Sequence, residues 1–295
     1  MASKFSPERP AVLDNPHSDR VRKVAGLAGR SARSRTRLML VEGPQAVREV
    51  VSFRGSHLRD VYVTRTASAM HPDIVEAAHQ ATRWVHEVTD DVAQAMSPDA
   101  QGILAVAELS AIDTNNRVTI PEGATIAVFA QGRDPGNVGT IIRTADAMGA
   151  SAVITVSGTV DVRNPKVVRS SAGSVFHLPI VSVSSFDEAV VQCRAWGATL
   201  LGTTGGSGTI ALDTLISDPH SVLRATHAWV FGNEAKGLQP EQLQACDVLV
   251  NIPMTGPTES LNVASAAAMC LYASQLRRST RSARGRSDNT GAPIS

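Results

Sequence analysis

The chain has 295 residues, 43% hydrophobic and 19% charged, which allows one large core or two smaller ones and excludes a disordered or fibrous protein. Aromatic residues make up only 4%, which argues against a nucleic-acid binder built on base-stacking platforms. The formal net charge of +1 says little until the charges are placed along the chain.

Residues 1–18 are rich in Pro, Ser and charge and read as a disordered arm. From 19 to 110 short apolar runs alternate with helical patterns. Residues 19–27 place Val21, Val24 and Leu27 on one helical face, and 38–41 read as a strand. Residues 44–52 read as a helix with Pro44 in its first turn, followed by strand 61–63, helix 71–81, and strands 85–88 and 103–106. This is a small α/β domain. The polar stretch AIDTNNRVTIPEG, residues 111–123, reads as a linker.

Beyond it, strands at 125–130, 152–156, 177–183, 198–203, 229–232 and 247–252 alternate with helices at 137–148, 186–196, 234–245 and 259–276. Apolar strands alternating with helices predict a parallel sheet covered on both faces, with ligands bound beyond the carboxyl ends of its strands. Residues 277–295 are rich in Ser, Arg and Gly and read as a basic, unstructured tail.

The charges are uneven. Arg20, Arg22, Lys23, Arg30, Arg33, Arg35 and Arg37 fall in a stretch where 21–41 carries no acidic residue, and Arg277, Arg278, Arg281, Arg284 and Arg286 form a second run. Such clusters suit phosphate contacts, since an Arg fork matches phosphate oxygens; a solvated face and a loose tail are the plainer alternatives. Cys193, Cys246 and Cys270 show no metal-ligand spacing, and the histidines, among them His71, His86, His177, His220 and His227, are scattered, so no metal is expected. The N-terminal residues lack an apolar signal core and no apolar run reaches membrane-span length, so a cytoplasmic protein with reduced thiols is expected.

Three segments follow strands and concentrate Gly and polar residues. GRDPGNVGTIIRTA, from Gly132 to Ala145, offers Asn137 as a helix N-cap, with Gly139 one turn before Arg143. An Arg in an otherwise apolar helix needs a pair or an anion unless it snorkels to the surface. VFGNEAKGL, from Val230 to Leu238, reads as a strand ending in a tight turn where Gly232 and Gly237 let backbone approach a ligand. NIPMTGPTESLNVAS, from Asn251 to Ser265, places Ser260 and Asn262 at the head of an Ala-rich helix. A nicotinamide-binding reading is disfavoured: the glycines are not GxGxxG, and AVITVSG carries no acidic residue to hold a ribose. The same absence counts against the common Rossmann-like methyltransferases.

Together the three segments resemble the SpoU (TrmH-like) family of RNA ribose 2′-O-methyltransferases, within the knotted SPOUT superfamily. Asn137, Gly139 and Arg143 match its NxGxxxR motif, Asn233 and Glu234 its second motif, and IPMTGPTESLNVASA its third, with Ser260 and Asn262 at the polar positions. NPKVVRSSAGSVF, from Asn164 to Phe176, is similar to the family's sequence before its middle strand. The resemblance covers roughly residues 124–275, and the basic segment with LMLVEGPQAVREV is similar to a ribosomal-protein-L30e-like RNA-binding module. It implies an α/β fold: a SPOUT-type parallel sheet over 124–276 with a C-terminal trefoil knot, plus a small α/β L30e-like domain over 19–110. It also implies a homodimer.

The implied cofactor is S-adenosylmethionine, held by Thr203, Thr204, Gly205, Gly232, Asn233, Gly237, Leu238, Ile252, Pro253, Met254, Ser260 and Leu261. The implied catalytic set is Asn137, Arg143, Glu234, Ser260 and Asn262. Arg143 is offered as the group that activates the 2′-hydroxyl; because a guanidinium stays protonated in proteins, a role in gripping phosphate and orienting the hydroxyl fits its chemistry better. The RNA-binding set is Arg22, Lys23, Arg30, Arg33, Arg35, Arg37 and Arg143. The two-domain layout resembles enzymes that modify large-subunit ribosomal RNA; a transfer-RNA methyltransferase and a non-catalytic RNA-binding relative are the alternatives.

Overall fold

The structure is a computed structural model describing residues 12–112, 118–233, 236–258 and 260–287, the side chains from 279 onward excepted. Its elements run α1 (Asp19–Gly26), α2 (Arg30–Thr36), β1 (Leu38–Glu42), α3 (Pro44–Arg54), β2 (Leu58–Thr64), α4 (Arg65–Met70), α5 (Pro72–Ala81), β3 (Val85–Val88), α6 (Asp90–Met96) and β4 (Ile103–Glu108). There follow β5 (Thr125–Phe129), α7 (Pro135–Ala147), β6 (Ala152–Val156), α8 (Pro165–Ser170), β7 (Ile180–Val183), α9 (Phe186–Ala195), β8 (Thr199–Thr203) and β9 (Ile210–Ala211). The last are α10 (Leu212–Ser217), β10 (His227–Phe231), α11 (Pro240–Ala245), β11 (Val248–Asn251) and α12 (Val263–Ser287). The chain divides into two compact units, Met1–Ala111 with Arg163–Phe176, and Ile112–Val162 with His177–Ser295.

The first unit holds a four-stranded sheet of order β1-β4-β2-β3, antiparallel except for the β2–β3 pair. Val21, Val24 and Leu27 of α1 and Val92, Ala93 and Met96 of α6 cover one face against Leu40, Tyr62, Leu104 and Val106. α3 and α5 pack on each other and against the strands. Local signals fix the helix starts: Ser18 caps α1 and Thr89 caps α6, while Gly43, at φ 88°, turns the chain into Pro44 at the head of α3.

Two sequence expectations change here. The arm begins to order before residue 18, since the Leu13 amide donates to the Glu87 carbonyl and the Thr89 amide to the Leu13 carbonyl, extending the edge of β3. Residues 1–11 lie outside the described residues, as do 113–117 of the expected linker. The stretch 163–176, read as part of the second domain, belongs to the first unit, and polar contacts explain why. Arg163 donates to the Leu109 carbonyl, Arg54 to the Phe176 carbonyl, and Arg169 pairs with the buried Glu42, which also accepts from the Ser97 hydroxyl at 2.6 Å.

The second unit is a seven-stranded sheet of order β7-β6-β5-β10-β8-β11-β9, parallel at every pairing. The strands β5, β6 and β10 are buried along their whole length, as near-continuous apolar runs require. Ala228 and Val230 face α9 with Ile126, Ile154 and Leu200. On the opposite side, His227 and Trp229 meet α12. His227 donates from Nδ1 to the Ala225 carbonyl at 2.8 Å, its Nε2 takes the Ser274 hydroxyl at 2.7 Å, and Trp229 Nε1 donates to the same hydroxyl at 2.8 Å. The predicted unstructured tail is also corrected. α12 continues through Ser287, with Arg277 bonded to the Asp218 carbonyl and Arg278 to the Met148 and Gly149 carbonyls; residues 288–295 lie outside the described residues. Composition alone hid this, because the tail helix has no apolar stripe but does have carbonyls to cap.

The three cysteines are free, and burial pushes the Cys193 and Cys246 thiols up to about 12, leaving them protonated. No described helix is long and apolar enough to cross a membrane.

Burial pushes the His227 imidazole down to about 4, with the Arg278 charge adding to the effect. The unfolded chain therefore takes up a proton near pH 6.5 that the folded chain refuses until about pH 4. Stability from this group is complete above pH 6.5 and is lost on acidification across that window, by up to about 3 kcal/mol. Urea unfolding between pH 7 and 4.5 checks this. His227→Gln, which keeps an amide donor but does not titrate, is expected to show a shallower loss of stability with falling pH than the parent.

Candidate active site

Because β5, β10, β8 and β11 are adjacent and parallel, they end on one edge of the sheet. Val230 pairs with Val128 and Gly202, and Val250 pairs with Thr203. The loops that follow them, 131–134, 232–239, 204–209 and 252–262, therefore open on a common side.

Each loop is shaped by local chemistry. After β10 the chain doubles back so tightly that a Cβ on Gly232 would lie 2.3 Å from the Gly237 carbonyl carbon, so only glycine fits. Asn233 and Gly237 exchange backbone hydrogen bonds of 3.0 and 2.8 Å, Gly237 sits at φ 63°, and the Asn233 side chain accepts from the Lys236 amide. Leu238 then turns inward and is buried. After β8, the Thr203 hydroxyl donates to the Val230 carbonyl at 3.1 Å and the Thr204 amide to the Val250 carbonyl at 3.0 Å, tying three strand ends together. Gly205 beyond them is exposed, with open space where a side chain would project. After β11, Ile252 and Leu261 are half-buried, Pro253 and Ser260 are exposed, and Met254 is 42% exposed.

The decisive contact joins the first and last of the three polar segments. Asn262 accepts at Oδ1 from the Ala264 amide at 2.8 Å, capping α12, and donates from Nδ2 to Asn137 Oδ1 at 3.1 Å. Asn137 is not the cap of α7, as its position had suggested. Asp134 is, accepting from the Asn137 amide at 2.7 Å, which frees the Asn137 side chain to meet Asn262. Arg143 stands two i,i+3 steps further, past Thr140, on the exposed side of α7, while Gly139, Ile141 and Ile142 are buried. Burial therefore imposes no demand for a partner on Arg143. Glu234 lies outside the described residues.

The basic residues of the first unit divide. Arg22, Lys23, Arg30, Arg35 and Arg37 are exposed, with Arg22 paired to Asp19 at 2.5 Å. Arg33 is 2% exposed and donates to the Leu27 and Ala28 carbonyls at 3.2 and 2.7 Å, so the expectation that it contacts RNA is corrected: it closes the C-terminus of α1. Arg37, at φ 60°, ends α2 in the left-handed region.

Residues 124–272 match the model of the SpoU rRNA Methylase family. The chain belongs to this family. It is 34% identical over 218 residues to a 23S rRNA (uridine(2479)-2′-O)-methyltransferase of Streptomyces viridochromogenes, covering 68% of this chain and 73% of that one. It is 32% identical over 229 residues to the 23S rRNA (guanosine-2′-O-)-methyltransferase RlmB of Bordetella pertussis, covering 75% and 90%. Among solved structures, the SpoU methyltransferase AviRb from Streptomyces viridochromogenes in complex with AdoMet superposes with a TM-score of 0.74 at 30% identity, over 89% of this chain and all of that one.

Within the SpoU frame, the structure brings Asn137 and Asn262 into contact and ranges Thr203, Thr204, Gly205, Gly232, Asn233, Gly237, Ile252, Pro253, Met254, Ser260 and Leu261 along the same sheet edge. Asp134 was missed, although an acidic residue directly before a helix-opening proline was the available signal. If the Asn bridge organises this edge, Asn137→Ala, Asn262→Ala and the double variant should form a cycle with a coupling of roughly 0.5–1.5 kcal/mol in urea unfolding, and Asn262→Ala alone should cost about 1 kcal/mol or more through its lost cap. Arg33→Ala should lower the thermal midpoint by several degrees, whereas Arg30→Ala should leave it within error; equal shifts would contradict the division made above.

Proposed function

We propose that this protein transfers the methyl group of S-adenosylmethionine to a ribose 2′-hydroxyl of large-subunit ribosomal RNA. The observation that carries the reading is the Asn137–Asn262 bond, which unites the two outer SpoU motifs at the sheet edge where the loops after β8, β10 and β11 open. Membership of a family whose relatives include 23S rRNA 2′-O-methyltransferases gives the reaction and the RNA class.

The residues at this edge fit the cofactor. Exposed glycine backbone at Gly205 offers polar groups, Gly237 lets the chain turn back close to the site, and Ile252, Pro253, Met254 and Leu261 offer apolar surface, the mixture an adenosyl group needs. Thr203, Thr204, Gly232, Asn233, Leu238 and Ser260 complete the set that would hold it. Bound there, S-adenosylmethionine supplies a methyl group on a sulfonium, open to in-line attack by an oxygen. The chain must place the ribose and help its hydroxyl lose a proton. Arg143, exposed on α7, grips a phosphate beside the target and donates to the hydroxyl oxygen; as that oxygen takes the methyl group its proton passes to solvent water, and the guanidinium stabilises the developing negative charge without accepting the proton. Asn137, fixed by Asn262, holds the ribose; Ser260 and Glu234 shape the pocket.

Lys23, Arg30, Arg35 and Arg37, with Arg22 beyond its pairing to Asp19, bind RNA phosphates from the first unit, an L30e-like RNA-binding module. The sheet of the second unit is that of a SPOUT domain with a C-terminal trefoil knot, and the protein works in the cytoplasm as a homodimer.

Incubation with labelled S-adenosylmethionine and separately purified ribosomal and transfer RNA tests this. Label should enter ribosomal RNA as an alkali-resistant 2′-O-methyl linkage. Arg143→Ala should reduce the rate by roughly 100-fold or more with cofactor affinity kept, and Arg143→Lys should fall well short of the parent. Full activity in Arg143→Lys would refute the fork role, and label in transfer RNA alone would refute the RNA class.

A further inference from the structure

Aromatic residues are scarce in this chain, yet several of its stacking side chains share one edge of the first unit. Tyr62 on β2 stands opposite His86 on β3 in the strand register, and their rings stack with centroids 5.1 Å apart at 25°. His86 in turn stacks with Trp84, two residues earlier on the same face, at 6.3 Å and 20°. The Arg83 guanidinium lies 4.6 Å from the centroid of the Trp84 ring. The inner end of this ladder is core, since Tyr62 is buried; the outer end is not, since Trp84 is 48% exposed. The platform is also rigid. The Trp84 carbonyl accepts from the Val61 amide at 2.9 Å, the Trp84 amide donates to the Thr82 hydroxyl at 3.2 Å, and His86 is held by Asp60 at 2.8 Å.

Two hollows meet beside the ladder, sharing Arg20 and Asp60. One, of about 490 Å³, runs along Arg59, Thr82, Arg83 and Trp84; the other, of about 740 Å³, runs under α1 past Arg22, Lys23, Arg35 and Tyr62. Both fall within the span of small-ligand clefts, roughly 300–1,000 Å³. Their charge is one-sided. Asp19 is paired to Arg22 and Asp60 is hydrogen-bonded to His86, which the Arg20 guanidinium also approaches at 3.5 Å; Lys23, Arg35 and Arg83 make no ion pair among the described residues, so cations outnumber carboxylates along the lining. A flat, half-exposed indole beside uncompensated cations matches a base with its phosphates.

We propose that this groove binds an unpaired nucleotide of the RNA substrate, its base taking the face of Trp84 that the Arg83 guanidinium now covers, and its flanking phosphates held by Arg20, Lys23, Arg35 and the displaced Arg83. The inference rests on the reading of the protein as an RNA methyltransferase and narrows its substrate. A paired base has both faces covered by its neighbours, so the ladder selects RNA that presents a splayed base in a loop or bulge, in addition to the nucleotide that is methylated. The sub-site tolerates any base, because every base has a π-face and stacking uses nothing else.

The test uses the full chain with ribosomal RNA in steady-state methylation, and short single-stranded oligonucleotides in fluorescence titration. Trp84→Ala should raise KM for RNA roughly tenfold with kcat unchanged, and Trp84→Phe should stay within about threefold of the parent. Oligonucleotide should quench the parent's fluorescence, and the quench should vanish in Trp84→Phe, where only Trp196 and Trp229 remain. An unchanged KM in Trp84→Ala with the quench intact in Trp84→Phe overturns the sub-site while leaving the enzymatic reading untouched. A Trp84-dependent quench in a protein that methylates no RNA supports the sub-site and sinks the enzymatic reading. A change of oligomeric state in Trp84→Ala with RNA KM unchanged would assign the indole to a protein contact and overturn the proposal.

Discussion

Parallel pairing of β5, β10, β8 and β11 is the constraint on which the site depends. Strands that run the same way, in adjacent positions and in register, must release their following loops on the same side. Four polar segments separated by as many as 120 residues are thereby gathered without any one of them being long. The backbone hydrogen bonds of the ladder are satisfied internally, so the loops are free to be glycine-rich and polar. Side-chain bonds from Thr203 and backbone bonds from Thr204 then extend the pairing past the strand ends. The loops are irregular in conformation, yet anchored at their roots to a rigid, buried sheet.

Much of this was legible in the sequence, for physical reasons. Strands buried on both faces are largely apolar, so β5, β6 and β10 announced themselves as runs of Ile, Ala, Val, Trp and Phe, with only Thr125, Thr155 and His227 polar. The glycine at 232 was legible because close backbone approach leaves no other choice. Arg33 was not. A linear charge count cannot tell which arginine of a cluster turns inward, and its targets, the Leu27 and Ala28 carbonyls, become orphans only because α1 ends there. The C-terminal helix failed for a related reason: its arginines read as phosphate contacts or as a loose solvated tail, whereas Arg277 and Arg278 are bonded to backbone carbonyls.

The aromatic content misled in another way. A 4% total describes abundance, and abundance says nothing about placement. Tyr62 and His86 meet because the β2–β3 pairing is parallel with that register, and Trp84 joins them through the alternation of the strand. Pairwise register is a tertiary fact, absent from any local pattern. The same holds for Asn137 and Asn262: each reads locally as a residue at a helix start, whereas Asp134 caps α7 and the contact between the two asparagines depends on α7 and α12 packing together.

That packing has a mechanical side. α7 and α12 are fastened near both ends of α7: Asn262 holds Asn137 at the first turn, and Arg278 holds the carbonyls of Met148 and Gly149 just past the last. The two ties lie sixteen residues apart on α12, from 262 to 278, and eleven apart on α7, from 137 to 148. A slide of either helix along the other by one turn, about 5.4 Å, would break both ties. Arg143 lies on α7 between the two tied positions. The backbone that carries Arg143 is thus held by a clamp whose far jaw is Arg278, more than a hundred residues away in the chain, and the play of that joint bounds how far this stretch of α7 can shift.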